Sequence, residues 1–258
     1  MFLCCYLWSK IQPFNFLGNI YMTRRAVLVG INYVNGKNPL QGCVNDVKSV
    51  EQILKHKYLY ENVVILTNEL ATRTNILDEF TKLLSESMAG DFLFFQYSGH
   101  GFHIKDLNYD EVDGYDEVVV SNDSLAIMDD ELRQIILTNL KADVQLFALF
   151  DSCLNGTIFD LKYNSYLMTT IDVPETVSNV FTLSVSSDFQ YSADTLIDGV
   201  YQGAGTWAFV QVMTATPEPL LMDLVKQMRT LLISRGFRQY PQLSWGKKID
   251  AENFRLVL

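Results

Sequence analysis

Five continuous apolar runs alternate along the chain with segments whose apolar residues have helical spacing. Each run is short and bounded by polar residues, a pattern typical of a strand buried on both faces of a sheet. The alternation of strands and helices predicts an α/β fold with a mostly parallel central sheet flanked by helices. The five runs cover residues 26–32, 63–67, 91–97, 144–151 and 180–186.

The helical segments between the runs each present an apolar stripe and begin near a residue suited to capping. We expect Asn45 or Asp46 to cap the first helix, because short polar side chains accept hydrogen bonds from the backbone of the first turn. Thr74 is the expected cap of the second helix and Asp129 that of the third. These helices are expected to pack their stripes against the sheet.

The second half of the chain predicts further helices at 206–213 and 220–234, and Pro241 introduces a short final segment. Segments 101–114 and 161–176 are polar or irregular. We therefore expect both to be loops that border a site.

Length and charge narrow the class of protein. A chain of 258 residues with 48% apolar composition is long enough for one large domain with a buried core. Its net charge of −10 disfavours nucleic acid and anionic membranes as partners and suits cationic ligands. Its longest N-terminal apolar run, residues 2–8, is too short to span a membrane. Four cysteines without metal-ligand spacing favour a reducing, cytoplasmic setting.

Two apolar runs end in residues that carry chemistry. The third run leads into Ser98-Gly99-His100-Gly101, and the fourth leads into Asp151-Ser152-Cys153. Ligands bind beyond the carboxyl ends of parallel strands in an open α/β sheet. The sequence therefore predicts that His100 and Cys153 meet at one rim.

A cysteine attacks a carbonyl as the thiolate, and a nearby histidine can ionise it near neutral pH. The N–H groups of Gly101 and Cys153 are candidate donors to the oxyanion of such a reaction. Taken singly, each residue has a structural alternative, since Cys153 could be a small buried apolar residue and His100 a hydrogen-bonding structural one. Their joint position at adjacent strand ends favours catalysis. His56 and His103 are the other histidines.

The four segments 40–46, 97–101, 151–153 and 192–194 occur in an order that resembles the metacaspases, and the likeness runs from about residue 24 to the C-terminus. The resemblance implies a caspase-hemoglobinase-like three-layer sandwich. It implies a Cys153/His100 dyad and endopeptidase cleavage after Arg or Lys. The chain would be a monomer of a minimal, type I-like form without a long leader.

The resemblance also implies a division of the chain. A short N-terminal extension would cover residues 1–23, and the peptidase domain 24–258 would comprise a large-subunit-like part over about 24–160 and a small-subunit-like part over about 177–258. One departure concerns the nucleophile, because Leu154-Asn155-Gly156 stands where the family usually has His-Ser-Gly. A catalytically silent caspase-like interaction or regulatory module is therefore the alternative to the peptidase.

A pocket for Arg or Lys requires carboxylates, because a desolvated cation must be paired. The resemblance places the substrate-binding positions at Cys43, Asp46, Ser98 and Asp151. From the sequence alone, Asp46 is equally suited to capping a helix, and Asp151 to a turn at the end of a strand.

Residues 106–117 are rich in oxygen ligands, and three acidic residues follow at 129–131. Calcium binds six to eight oxygens, so carboxylates from separate loops are suited to it. The resemblance to calcium-activated metacaspases gives the candidate ligands as Asp116, Asp129, Asp130 and Asp160. The alternative is a solvated acidic loop beside a helix N-terminus. No organic cofactor is expected.

Overall fold

The computed structural model describes residues 22–105, 114–153, 157–165, 170–185 and 194–258. Its strands are β1 (Arg24–Gly30), β2 (Asn62–Thr67), β3 (Phe92–Ser98), β4 (Gly101–Lys105), β5 (Tyr115–Val120), β6 (Ala126–Met128), β7 (Gln145–Asp151), β8 (Tyr163–Asn164), β9 (Asn179–Ser184), β10 (Asp194–Ile197), β11 (Val200–Gly203) and β12 (Gln242–Trp245). The helices are α1 (Cys43–His56), α2 (Arg73–Ser85), α3 (Asp129–Asn139), α4 (Ala204–Ala215) and α5 (Leu221–Ser234). Among the described residues, no helix is both long and apolar enough to cross a membrane.

A seven-stranded sheet in the order β2-β1-β3-β7-β9-β12-β8 forms the centre of the structure. Neighbouring strands from β2 to β9 pair in parallel, and β12 and β8 are added antiparallel. The five strands predicted from the apolar runs are thus confirmed, with ends shifted by no more than a few residues. The mostly parallel α/β sheet is confirmed with them.

Alternate residues of the central strands feed two separate apolar layers, because successive side chains of a strand point to opposite faces. Phe94 packs with Phe147 and Phe209 on the face covered by α1, α4 and α5. Phe95 packs with Phe80 and Phe150 on the face covered by α2 and α3. The expected three-layer arrangement, helices on both faces of a sheet, is therefore correct.

The predicted helix caps are wrong in detail. Helix α1 is preceded by Gly42, and the Asp46 carboxylate is used elsewhere, as an acceptor for the backbone of another segment. The cap of α2 is Thr72, whose Oγ1 accepts the Asn75 N–H at 3.2 Å. Asp129 lies inside the first turn of α3 instead of preceding it. Capping preferences alone do not distinguish an acidic residue at a helix start from one that serves a site.

The two predicted loops contain strands. Residues 101–105 form β4, which pairs antiparallel with β5, and β5 pairs with β6 to give a small three-stranded sheet. Tyr163–Asn164 pairs with the end of β12. Strands this short or this polar lack the continuous apolar run that identified the central ones. Residues 106–113 and 166–169 of the predicted loops lie outside the described residues.

Candidate active site

The carboxyl ends of β1, β3 and β7 are level, because Gly30 pairs with Ser98 and Ser98 pairs with Asp151. His100 follows β3 by two residues, and Cys153 follows β7 by two residues. Both side chains line one small cavity of about 40 Å³. The structure thus brings His100 and Cys153 to the same rim of the sheet, as the sequence predicted.

The imidazole of His100 is held from two sides. Its Nε2 lies 2.7 Å from the carbonyl oxygen of Asn38, and its ring packs against that of Tyr33 with the centroids 4.5 Å apart. A carbonyl oxygen only accepts hydrogen bonds, so Nε2 must carry the proton. This tautomer leaves Nδ1 as the nitrogen available to a thiol.

Two tyrosines hold the backbone of His100. The Tyr33 hydroxyl accepts the His100 N–H at 3.0 Å, and the Tyr97 hydroxyl donates to the His100 carbonyl at 2.8 Å. A Cβ atom at Gly99 would lie 2.6 Å from the Tyr97 hydroxyl and 2.8 Å from that of Tyr33, so only glycine fits between them. Tyr33 was not predicted as a site residue, because it reaches the site from the loop after β1 and has no local motif of its own.

The two cysteines in the described residues differ in environment. Cys43 is 5% exposed, and burial together with the charge of Asp46 raises the pKa of its thiol well above the ordinary value. Cys153 is half-buried and lines the cavity. Because the thiolate is the reactive form, the buried Cys43 is the less reactive thiol and Cys153 is the better nucleophile candidate.

The floor of the cavity is acidic. Asp46 Oδ1 accepts the Gly203 N–H at 2.8 Å, and Asp151 Oδ2 accepts the Thr206 N–H at 2.7 Å. A Cβ atom at Gly203 would collide with the Asp151 carboxylate and approach Asp46 Oδ2 to 2.9 Å, so the absence of a side chain keeps this space open. Burial, and then the charge of Asp151, raise the pKa of Asp46 well above its ordinary value. Like charges in a buried site repel, and a proton or a cation beside the two carboxylates would relieve that repulsion.

A third carboxylate, that of Asp194, lines the same cavity. Its Oδ2 accepts the Gln41 N–H at 2.6 Å, while its Oδ1 is buried and makes no hydrogen bond within the described structure. Asp194 belongs to one of the four segments that carry the family likeness, but it was not predicted as a substrate-binding residue. The other two residues of that segment, Ser192 and Ala193, lie outside the described residues.

The other predicted substrate-binding and catalytic positions are nearby. Cys43 lines the cavity with Asp46 and Asp151, as expected. Ser98 does not line the cavity, but it is buried and stabilises the charged form of Asp46 through a side-chain hydrogen bond. Gly101 begins β4 and lines a neighbouring cavity that also contains His100. The substitution at 154–156, directly after the nucleophile candidate, lies outside the described residues.

Three of the four candidate calcium ligands share one region. Asp129 is 1% exposed, and burial raises its pKa to about 7, with further contributions from the charges of Asp116 and Asp130. Its two oxygens accept the backbone N–H groups of Glu117 and Asp130. In the described ranges, no three acidic, histidine or cysteine side chains are already arranged to hold a metal ion. The candidate residues 106–113 of the acidic run lie outside those ranges.

Asp160 is tied to the same region through the backbone. It has a φ of 45°, and its carbonyl accepts from Arg133 of α3, the helix that begins with Asp129. Glu117, which was not predicted as a site residue, makes a second connection. Its carboxylate accepts the N–H of Thr157 at 3.0 Å and the Thr157 hydroxyl at 2.6 Å. The acidic region is thereby bonded to the segment that follows Cys153.

Comparison with known proteins identifies the family of the chain. The family model described as metacaspase, peptidase C14 domain, matches residues 24–162. Metacaspase-1 of Schizosaccharomyces pombe is 35% identical to this chain over 91% of the chain and 70% of its own length. Metacaspase-1 of Meyerozyma guilliermondii is 32% identical over 94% of the chain and 74% of its own length.

Among solved structures, a crystal structure of a Geobacter sulfurreducens protein superposes with a TM-score of 0.68 over 88% of this chain and 95% of its own. At 22% identity this likeness shows the fold alone. The family model and the curated relatives agree with one another. The chain therefore belongs to the metacaspase family and is a caspase-like cysteine endopeptidase.

Proposed function

We propose that this protein hydrolyses peptide bonds after Arg or Lys, with Cys153 as nucleophile and His100 as its acid/base partner. The observation that carries the proposal is one cavity lined by both residues and by the carboxylates of Asp46, Asp151 and Asp194. The cavity combines a group that attacks a carbonyl with groups that hold a cation beside it.

The reaction would proceed in two steps. His100 Nδ1 takes the proton of Cys153, and the thiolate adds to the scissile carbonyl to form a tetrahedral intermediate. The intermediate collapses as the C–N bond breaks, and the imidazolium gives its proton to the leaving amine. Water, deprotonated by the neutral imidazole, then hydrolyses the thioester and releases the new carboxylate and the thiol.

The proposed oxyanion donors are the backbone N–H groups of Gly101 and Cys153. Each would act on the negative charge that develops on the carbonyl oxygen, an effect typically worth about 3 kcal/mol per donor. The hydrogen bonds from Tyr33 and Tyr97 to the backbone of His100 support this assignment. The His100 carbonyl belongs to the same peptide group as the Gly101 N–H, so the bond from Tyr97 also positions that N–H.

We further propose calcium as the activator, bound by Asp116, Asp129, Asp130 and Asp160. The donor set fits a hard cation: Asp129 is buried among like charges with its pKa raised to about 7, a penalty that a bound cation would relieve. The hydrogen bond from the Thr157 N–H to the Glu117 carboxylate connects this region to the segment after Cys153, so ion binding could affect that segment. These residues would hold the ion and transmit its binding through the backbone.

A reducing environment protects a free thiol nucleophile from oxidation, which supports a cytoplasmic location. All the candidate site residues come from a single chain, which supports action as a monomer. Peptide and protein substrates with Arg or Lys before the scissile bond are the proposed partners.

The specificity can be tested with peptides that differ only in the residue before the cut. We expect Arg and Lys peptides to be cleaved, and Gln and Asp peptides to be cleaved at least about 100-fold less efficiently, because the buried carboxylates need a cationic partner. The measurement is kcat/KM for each peptide at saturating calcium. Equal cleavage of the Gln and Arg peptides would contradict the proposed basic specificity.

The role of calcium predicts a pH-dependent response. Protons compete with calcium for Asp129, so the calcium concentration that gives half-maximal activity should fall as pH rises through about 7. Asp129→Asn should remove most of the activation, since it deletes a charged ligand. Cleavage rates measured in excess calcium and in chelator test the idea, and equal rates in the two would refute it.

A further inference from the structure

A second cavity, of about 520 Å³, adjoins His100. Its lining residues include Lys37, His100, Gly101, Phe102 and Ser124. The two cavities have His100 in common and share no other lining residue within the described structure. His100 thus stands between the acidic pocket and this larger space, of which the proposed function uses only His100 and Gly101.

The two cavities differ in charge. Three carboxylates line the smaller one, whereas the larger one is lined by the exposed Lys37 and by no acidic residue of the described chain. The nearest acidic neighbour in sequence is Asp123, whose Oδ1 accepts the Arg73 N–H at 2.9 Å. Protonation of His100 during catalysis would add a second positive charge. The larger cavity therefore suits an anionic group.

The wall of the larger cavity also offers apolar surface. Phe102 is 40% exposed although it lies on β4, directly after His100 and Gly101. A peptide that enters here would find one aromatic ring and one ammonium group at its sides. An acidic side chain would pack its methylene groups against the ring and pair its carboxylate with the ammonium group.

The chemistry of the dyad determines which part of a substrate reaches this cavity. His100 gives a proton to the leaving amine, so that nitrogen must come within hydrogen-bond reach of the imidazole. The leaving segment therefore starts beside His100, while the basic side chain before the cut occupies the acidic pocket. This step rests on the proposed function.

We propose that the cavity bounded by Lys37 and Phe102 binds the substrate segment that follows the scissile bond, and that it selects an acidic residue at the first or second position after the cut. Substrates would then carry a cationic residue before the cut and an anionic residue after it. The two charges would be read by separate cavities on either side of His100.

The test uses internally quenched peptides with Arg before the cut and Glu, Gln or Lys after it. The wild type should cleave the Glu peptide with a kcat/KM about fivefold above that of the Lys peptide, a factor typical of partly exposed charge pairs. Lys37→Glu should reverse this order. The matched control is Lys82→Glu, which makes the same charge change on α2 beside the amino ends of β1 and β2 and should keep the wild-type order.

An unchanged order in Lys37→Glu would overturn the proposal. Binding of the same peptides to the Cys153→Ala variant, measured by fluorescence anisotropy, separates this failure from failure of the proposed function. If no peptide is cleaved by the wild type, the dyad assignment fails, yet tighter binding of the Glu peptide that is lost in Lys37→Glu would still support the cavity. Equal binding of all three peptides would rule it out.

Discussion

Cys153→Ala should lower kcat for an Arg peptide by a factor on the order of 10⁴ or more, because it removes the atom that forms the thioester. His100→Ala should cause a loss of similar size, since a nucleophile and its base act as a unit and their losses do not add. The measurement is release of a fluorophore from an Arg peptide amide at saturating calcium. Circular dichroism of each variant establishes that the fold is kept.

His103→Ala provides the matched control for the histidine. His103 lies on β4, three residues from His100, and stacks against Tyr115 without lining either cavity. This variant should retain cleavage.

Alkylation by iodoacetamide provides a second measurement of the nucleophile. Followed residue by residue with mass spectrometry, it should modify Cys153 faster than the buried Cys43, and the rate at Cys153 should fall in His100→Ala. Turnover that survives in Cys153→Ala would exclude the proposed nucleophile, and a wild type that binds basic peptides without cleaving any would favour the silent interaction module.

Asp46→Asn or Asp151→Asn should lower kcat/KM for an Arg peptide by about 100-fold, since each leaves a buried guanidinium with one carboxylate fewer. Asparagine keeps the shape and can still accept the N–H of Gly203 or Thr206. A peptide with citrulline in place of Arg has the same shape without the charge. The ratio of kcat/KM between the Arg and citrulline peptides should therefore shrink in both variants.

Asp91→Asn is the control for loss of a buried carboxylate. Asp91 precedes β3 at the opposite rim, where it accepts N–H groups from Thr23 and Met88, so the change should lower stability and leave the Arg-to-citrulline ratio alone. If Asp46→Asn also leaves that ratio unchanged, the Asp46 carboxylate does not bind the cationic side chain before the scissile bond.

The same ratio should depend on pH. The pKa of Asp46 is raised by burial and by Asp151, so a proton occupies this pair at lower pH and a guanidinium must displace it. The Arg-to-citrulline ratio should rise with pH, and the dyad's own titration cancels because both peptides use it. Because the folded pKa lies above the unfolded one, Asp46 contributes stability that is fully present below the unfolded pKa and is lost as pH rises through the folded pKa.

The sequence was sufficient for the parts of the fold and site that depend on regular patterns. Continuous apolar runs identified the five parallel strands, and the rule that ligands bind at their carboxyl ends predicted that His100 and Cys153 lie together. The carboxylates of Asp46 and Asp151 came from the family resemblance, because their local contexts are equally those of a cap and of a turn.

The remaining parts depend on contacts between residues distant in the chain. Tyr33 is 67 positions from His100, and Glu117 is 40 positions from Thr157. No periodicity or spacing marks either pair. The short strands of the small sheet were missed for a related reason, since pairing with a neighbour defines them more than their own apolar content.

The acidic floor joins two parts of the chain, one up to the end of β7 and one from β9 onward. Asp46 and Asp151 come from the first part, and the backbone groups that bind them come from Gly203 and Thr206 in the second. Strands β7 and β9, one from each part, lie side by side in the central sheet. A peptide bond broken between these strands would therefore yield two fragments that remain associated without a covalent link, with the acidic floor still assembled.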